Sequence, residues 1–287
     1  MTQPGMTQPA TTQKVALVTG ASSGIGAATA GKLAGLGYTV YGAARRVDRM
    51  SQLRAAGVHV LAMDVTDAES AQAGVKQLLA ETGRIDVLVN NAGYGSYGAI
   101  EDVPTAEATA QFDVNVFGAA RLIQLVLPQM RAQHTGRIIN ISSMGGKIYT
   151  PLGGWYHATK FALEALSDCL RLEVAQFGIK VIVIEPGAIR TEWAAISADN
   201  LDAASAGTPY RDQARFVSGT LRATEKSRLT SGPAVVADAI GKAVQNPRPR
   251  TRYAVGGGAR SILFAQRVLT DRGFDRLIRT SYRALGR

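Results

Sequence analysis

A single cysteine, Cys169, stands in a chain of 287 residues, which excludes an internal disulfide. It falls inside a long helix-like stretch and is read as core packing. The three histidines, His59, His134 and His157, show no metal-ligand spacing, so no metal site is expected. No apolar run approaches the ~20 residues that span a bilayer. Met1–Gln13 has neither an apolar segment nor a basic start and is not read as a signal peptide. It is polar, contains Met-Thr-Gln-Pro twice, and is expected to be a disordered tail, with Met6 an alternative start. The expected location is cytoplasmic.

What is present fits one soluble α/β domain with extensions. Hydrophobic residues make up 46% of the chain and the mean hydropathy is close to zero. Strand-like and helix-like runs alternate, which argues for a parallel sheet. The expected strands are Val15–Thr19, Tyr38–Ala43, His59–Met63, Val87–Asn90, Arg137–Ile141, Lys180–Glu185 and Arg252–Val255. The expected helices cover about Gly24–Leu36, Asp48–Ala56, Ala68–Thr82, Ala106–Met130, Trp155–Phe177 and Pro233–Gln245. Several strands are nearly continuous apolar runs, as when helices cover both faces of a sheet. Residues 14–255 show no internal domain boundary.

Two motifs carry chemistry. Thr19-Gly20-Ala21-Ser22-Ser23-Gly24-Ile25-Gly26 lies between a buried strand and a helix, the context in which a glycine turn receives a pyrophosphate at a helix N-terminus. Its spacing departs from G-x-G-x-x-G, with three residues between Gly20 and Gly24. Downstream, Tyr156 and Lys160 are four residues apart, so a phenol and an ammonium share one helical face. A free tyrosine has a pKa of about 10, and lowering it by about three units takes roughly 4 kcal/mol, which a close cation would help to supply.

The second strand ends in Ala43-Ala44-Arg45-Arg46, without the acid that commonly accepts hydrogen bonds from a ribose 2′-hydroxyl. Guanidinium groups there suit a 2′-phosphate instead. NADP(H) is therefore expected over NAD(H), with Arg45 and Arg46 the candidate cations.

With these motifs in order, the chain resembles the short-chain dehydrogenases/reductases, in their shorter branch, from about Lys14 to Ala254. The resemblance rests on Thr19 to Gly26, Asp64-Val65, Asn90-Asn91-Ala92-Gly93, Asn115, Ser143, Tyr156-x-x-x-Lys160, and Pro186-Gly187 followed by Thr191. It implies a doubly wound, Rossmann-like parallel sheet in a single domain; beyond it, residues 256–287 are read as a basic, helical extension. It implies that Gly20, Ser22, Ser23, Gly24, Ile25 and Gly26 cradle the cofactor. Asp64 is expected at the adenine amino group with Val65 beside it, although Asp64 also suits a helix cap. Asn90 supports the sheet and the adenine ribose, while Asn91, Ala92 and Gly93 line the cofactor. Pro186, Gly187, Ile189 and Thr191 hold the nicotinamide carboxamide.

Ser142 and Ser143 both follow a strand, and either hydroxyl could face a substrate. The family places its serine thirteen residues before the tyrosine, which selects Ser143 and leaves Ser142 structural. Tyr156 is then the general acid in carbonyl reduction and the general base in alcohol oxidation, and Lys160 bonds the nicotinamide ribose and lowers the tyrosine pKa. Asn115 matches the asparagine that kinks a helix and anchors a water in a proton relay to the lysine.

Residues from Arg190 to about Thr230 are expected to form a variable lid. Trp193, Ile196, Leu201, Tyr210, Phe216, Val217 and Leu221 within it, and Tyr94, Tyr97, Met144, Tyr149, Pro151 and Leu152 elsewhere, point to a lipophilic alcohol or ketone such as a steroid, retinoid or fatty carbonyl. The lid also looks similar to hydroxysteroid- and retinol-dehydrogenase-like members. A reductase for smaller polar carbonyls is the alternative, and a non-catalytic module that senses NADP(H) is the reading from another class.

From Arg248 to Arg287, ten arginines stand against Asp271 and Asp275. Ser261–Thr270 and Phe274–Arg279 resemble amphipathic helices. They suit weak attachment to an anionic membrane surface, and equally packing on the protein or on a second subunit. No nucleic-acid motif accompanies the charge. The family implies a homodimer or homotetramer.

Overall fold

In a computed structural model that describes residues 13–227 and 230–285, the apolar runs become a seven-stranded, all-parallel sheet of order β3-β2-β1-β4-β5-β6-β7. The strands are β1 (Val15–Thr19), β2 (Thr39–Ala44), β3 (His59–Ala62), β4 (Val87–Asn90), β5 (Gly136–Ile141), β6 (Ile179–Pro186) and β7 (Arg252–Val255). The expected disordered tail falls, but for Gln13, outside the described residues.

Successive side chains of a strand point to opposite faces, and both faces here are apolar. Leu17, Leu88, Ile138 and Val181 bury against α3 (Ala68–Thr82), α5 (Gly118–Ala132) and α6 (Gly154–Val174), through Leu78, Leu122, Val126 and Leu170. Their neighbours Val18, Val89, Ile139 and Ile182 bury against α1 (Gly24–Gly35) and α9 (Ala234–Gln245), through Ala30, Leu33, Val236 and Ile240. The strand order reverses between β1 and β4, which opens a crevice at the C-terminal strand ends.

Two helices differ from expectation. The helix expected over Asp48–Ala56 is a 3₁₀ turn, Val47–Met50, running into the short α2 (Ser51–Ala55). The single helix expected over Ala106–Met130 is α4 (Thr105–Phe112), a π-helical turn Asp113–Phe117 and α5. The segment expected as a lid holds α7 (Trp193–Ala204) and α8 (Arg211–Lys226), tied together by Ser218 to Asp202 at 2.6 Å and by Arg222 to Asp202 at 2.8 Å and Asp199 at 2.7 Å.

The extension forms α10 (Ala259–Val268) and α11 (Asp271–Leu285). Phe274 and Ile278 of α11 pack inward on Ile148, with Met144 against them. Cys169 corrects the sequence reading: it is exposed, on the solvent side of α6. No described helix is long and apolar enough to cross a membrane.

Candidate active site

The glycine turn follows β1 because the chain must bend sharply and stay thin there. Gly20 and Gly24 adopt φ of +64° and +54°. A Cβ on Gly26 would lie 2.2 Å from the Gly20 carbonyl oxygen, so nothing larger than glycine fits without a shift. Ser23 occupies the N-cap of α1 without capping through its side chain, which leaves the first-turn N–H groups to an anion. Ser22 is half-buried in the turn, and Ile25 packs on the core.

The β4 end holds this turn in shape. Asn91 Nδ2 donates to the Thr19 carbonyl at 2.9 Å, and the Asn91 and Ala92 N–H groups both donate to Thr19 Oγ1 at 3.0 Å. The Asn91 side chain is thus committed to the cradle's own backbone. Asn90 faces inward, donating to Asn140 Oδ1 at 2.9 Å, and Asn140 donates to Ser167 Oγ at 2.8 Å. That ladder locks β4, β5 and α6 in register.

At the β2 and β3 ends, the Arg45 side chain is 74% exposed and its Nη1 lies 3.8 Å from Asp64 Oδ2. Arg46 beside it is also exposed. Asp64 does not cap a helix; Asp67 caps α3 through Glu69 N–H at 2.9 Å and Ser70 N–H at 3.0 Å. Asp64 instead accepts from the Thr66 N–H and hydroxyl at 2.9 and 2.7 Å. Partial burial alone would raise its carboxyl, but the Thr66 hydrogen bonds and the charges of Arg45 and Arg121 outweigh it and hold the group below its ordinary value. Val65 is buried and its carbonyl accepts from Arg121.

Pro186 ends β6, and Gly187 passes so close to the next loop that a Cβ would sit 2.2 Å from the Gly257 carbonyl oxygen. Ile189 bridges to Ser231. The Thr191 methyl approaches Gly24, 3.1 Å from where that residue's Cβ would be, so the Pro186–Thr191 segment faces the glycine turn across the crevice. Arg49 and Glu192 pair at 3.3 Å and tie the turn after β2 to the segment after β6.

Tyr156, Lys160 and Ser143 meet beside it. Burial pushes the Tyr156 phenol up to about 12, and the Ser143 hydroxyl bonded to it acts in the opposite direction. Lys160 Nζ donates to the Ile141 carbonyl at 2.9 Å, and burial lowers its pKa to about 8 with Glu164 opposing. The expected lowering of the phenol by the ammonium is therefore not what this arrangement does: both groups are buried, desolvation dominates, and the lysine bonds a strand carbonyl. Ser143 Oγ also accepts from the Gly145 N–H at 3.0 Å, whereas the Ser142 hydroxyl is buried and unpartnered.

Asn115 lies in the π turn, with Oδ1 accepting from the Tyr94 N–H at 3.0 Å and Nδ2 donating to the Tyr94 carbonyl at 2.9 Å and to Thr159 Oγ1 at 3.0 Å. Thr159 immediately precedes Lys160, so the π turn is pinned to the helix that carries the tyrosine. Gly93 lies against both groups, its Cβ direction 3.0 Å from Asn115 Oδ1 and 3.7 Å from Lys160 Nζ.

The Tyr156 ring sits among Trp193, 5.1 Å away between centroids, and Tyr97, 5.8 Å away. Leu152, Leu201, Ala214, Phe216, Val217 and Leu221 complete that apolar cluster. Met144 and Tyr149, expected as walls, turn instead to α11: Tyr149 meets Phe274 at 5.4 Å and bonds Asp275 at 3.1 Å. Tyr94 bonds Glu107 at 3.1 Å. His157, which shows no metal-ligand spacing in the sequence, braces the loop that follows Ser143. The Thr150 N–H donates to Nε2 at 3.1 Å, so Nδ1 carries the proton and donates to the Gly145 carbonyl at 2.9 Å. Among the described residues no group of three or more His, Cys, Asp and Glu is arranged to hold a metal ion.

The sequence profile of the short chain dehydrogenases matches residues 14–201. The 3-ketodihydrosphingosine reductase of Bacteroides thetaiotaomicron is 38% identical over 244 residues, 85% of this chain and 88% of that protein. A short-chain dehydrogenase of Streptomyces avermitilis superposes with a TM-score of 0.76 at 39% identity, covering 89% of this chain and 92% of that one. A metagenomic short-chain oxidoreductase solved with NADP matches with a TM-score of 0.66 at 31% identity, covering 84% of this chain and 96% of that one. A homologue from Burkholderia phymatum solved with NAD matches at 0.76 and 28% identity, covering 89% of this chain and 92% of that one.

Proposed function

The chain belongs to the short-chain dehydrogenase family, an oxidoreductase of CH–OH and C=O groups that uses a nicotinamide dinucleotide, and from that premise we propose that it is an NADP(H)-dependent enzyme for a lipophilic carbonyl or its alcohol. Residues 14–255 are the catalytic unit in this reading. The observation that carries it is the Tyr156 phenol bonded to Ser143, with the Lys160 ammonium one turn behind and an apolar cluster around the ring.

The crevice suits the dinucleotide: a glycine turn with no room for a Cβ, an uncapped helix N-terminus, and Arg45 and Arg46 at the second strand end. Gly20, Ser22–Gly26 and Asn91–Gly93 would line the pyrophosphate and ribose, Asp64 and Val65 the adenine, and Pro186, Gly187, Ile189 and Thr191 the carboxamide. Arg45 favours a 2′-phosphate over a bare hydroxyl, because no carboxylate follows Ala44. The reduced nicotinamide, when bound, supplies the hydride.

Ser143 holds the substrate oxygen, a positioning role that also stabilises developing negative charge. Tyr156 keeps its proton at neutral pH and donates it to that oxygen as the carbonyl is reduced. Lys160 orients the ribose, and Asn115 serves the relay that returns a proton through Lys160. Trp193, Tyr97, Leu152 and Leu201 make the substrate side apolar, which supports a lipid-like, steroid or retinoid partner. The name of the Bacteroides relative, 3-ketodihydrosphingosine reductase, supports the same choice. Phe161 and Leu172, exposed on α6, support assembly into a homodimer or homotetramer through that helix. Arg260, Phe264, Arg267 and Val268 share an exposed face of α10 and support weak contact with an anionic membrane surface.

The test follows absorbance of NADPH, with NADH in parallel, over carbonyls from small polar aldehydes to steroid, retinoid and long-chain ketones. NADPH should be consumed with the lipophilic members, and Tyr156→Phe should bind NADPH yet lose turnover by about 10²-fold or more. Turnover confined to small polar aldehydes would replace the substrate class. NADPH binding without any turnover would favour the sensor.

A further inference from the structure

Behind the catalytic helix face lies a buried group of charges that the reaction as written does not use. Tyr156, Lys160, Glu164 and Asp168 follow at four-residue spacing along α6 and so lie one above another on one helical face. Glu164 is almost wholly buried. Its Oε2 receives Arg252 Nε at 3.0 Å and Lys147 Nζ at 3.4 Å, while its Oε1 is buried without a partner. Arg252, on β7, also reaches Asp168 at 2.7 Å and Glu185, on β6, at 3.4 Å. Lys147 sits four residues after Ser143, in the same loop. Gly146 in that loop faces the Ser142 hydroxyl and the Glu164 side chain, 2.6 and 3.0 Å from its Cβ direction.

Both cations sit on Oε2, so the buried Oε1 side of the carboxylate is left for a further positive charge. The next cation along the face is Lys160, itself buried and bonded only to the neutral Ile141 carbonyl. We propose that Glu164 is a positioning residue for Lys160: its buried carboxylate keeps that ammonium charged, and Arg252 and Lys147 set how much of the negative field reaches it. The charged groups facing Glu164 are Lys160 and Asp168 from its own helix, Lys147 from the serine loop, Glu185 from β6 and Arg252 from β7. Lys160 itself has Tyr156 and Glu164 one turn to either side on α6, bonds the Ile141 carbonyl, and lies with the neutral Asn115 against Gly93. Burial, and next the charge of Glu164, push the Glu185 carboxyl up to about 7, so Glu185 sheds much of its own charge near neutrality and Glu164 dominates the field. The device is a second charge pair stacked under the first, with the serine loop attached to it through Lys147.

The inference rests on Lys160 as the active-site cation, and its test needs neither substrate nor cofactor. Protein labelled with ¹³C at the lysine ε-carbons is titrated by NMR, with Lys160 assigned from the signal lost in Lys160→Met. In wild type its midpoint should fall near 8. Glu164→Gln, which keeps the shape and removes the charge, should move that midpoint to lower pH. Lys147→Met, on a partly exposed side chain, should move it to higher pH, because it unmasks Glu164. A merely structural Glu164 would change thermal stability and leave both midpoints at the wild-type value, which would overturn the proposal. If Glu164→Gln does not fold, Lys147→Met decides alone: a rise supports the device, and no change or a fall removes it. A failed carbonyl panel alongside shifted midpoints would reject the enzymatic substrate reading and leave this one standing.

Discussion

At the scale of single residues, Arg45 shows what sequence reasoning can and cannot deliver. The absence of an acid after Ala44 is a statement about residue types, so it is legible without coordinates. That Arg45 is exposed and lies opposite Asp64 at 3.8 Å is a matter of geometry. An exposed pair at that distance contributes little to stability, so Arg45→Asp should fold normally. A charge-assisted hydrogen bond is worth about 1.5–3 kcal/mol, so the ratio of kcat/KM for NADPH over NADH should fall by about 10- to 100-fold. An unchanged ratio in matched assays would remove Arg45 as the determinant. Tyr156 and Lys160 illustrate the opposite case. Four-residue spacing revealed that they share a face, but not that burial would push the phenol up to about 12 while Lys160 bonds the Ile141 carbonyl. Desolvation depends on what the lid and sheet place around a side chain, and no local pattern encodes that. Glu164 did leave a trace, as an acid one turn beyond Lys160 on the same face.

At the scale of elements, the strands were legible because a doubly covered parallel sheet demands continuous apolar runs, and β1, β4 and β7 match their expected bounds. The break at Asn115 was legible only through the resemblance, and that it takes the form of a π turn at Asp113–Phe117 was not, since the extra residue is accommodated by Asn115 bonding Tyr94 and Thr159 from distant segments. Nor was the brace on the serine loop, where Thr150 and Gly145 converge on His157. Burial first of all holds the His157 pKa below its ordinary 6.5, with hydrogen bonds to Gly145 and Ile148 opposing. A depressed value means that the unfolded chain takes up the proton first. The stability from neutral His157 is therefore complete above 6.5 and is lost as pH falls from there through the lower folded value. Thermal unfolding between about pH 7 and pH 5 should accordingly show a steeper decline for wild type than for His157→Gln. Parallel declines would mean that the loop does not depend on the neutral ring.

At the scale of the whole molecule, the question is which surfaces meet something else. Phe161 and Leu172 lie eleven residues apart on α6, about three turns, and so share an outward face. If that face joins two copies, Phe161→Asp with Leu172→Asp should halve the mass seen by light scattering while each monomer keeps its fold by circular dichroism; an unchanged mass would place the interface elsewhere. The C-terminal extension divides its labour between its two helices. Phe274, 2% exposed, and Ile278 fix α11 to the serine loop through Ile148 and Met144, so that helix belongs to the protein's own core. α10 keeps Phe264 at 68% exposure beside Val268, Arg260 and Arg267, an apolar strip with cations on the same face. Each arginine near an anionic bilayer adds about 1 kcal/mol at low salt, and the apolar pair adds burial in the headgroup region. The protein should therefore sediment with phosphatidylserine-containing vesicles at low salt and be released as ionic strength rises, because the Debye length shrinks from about 30 Å at 0.01 M to about 8 Å at 0.15 M. Phe264→Glu should lose the vesicles while keeping NADPH binding, since the Phe264 side chain is exposed to solvent rather than packed in the fold. Wild type that stays in the supernatant at low salt would end the membrane reading and leave α10 as a surface for protein alone.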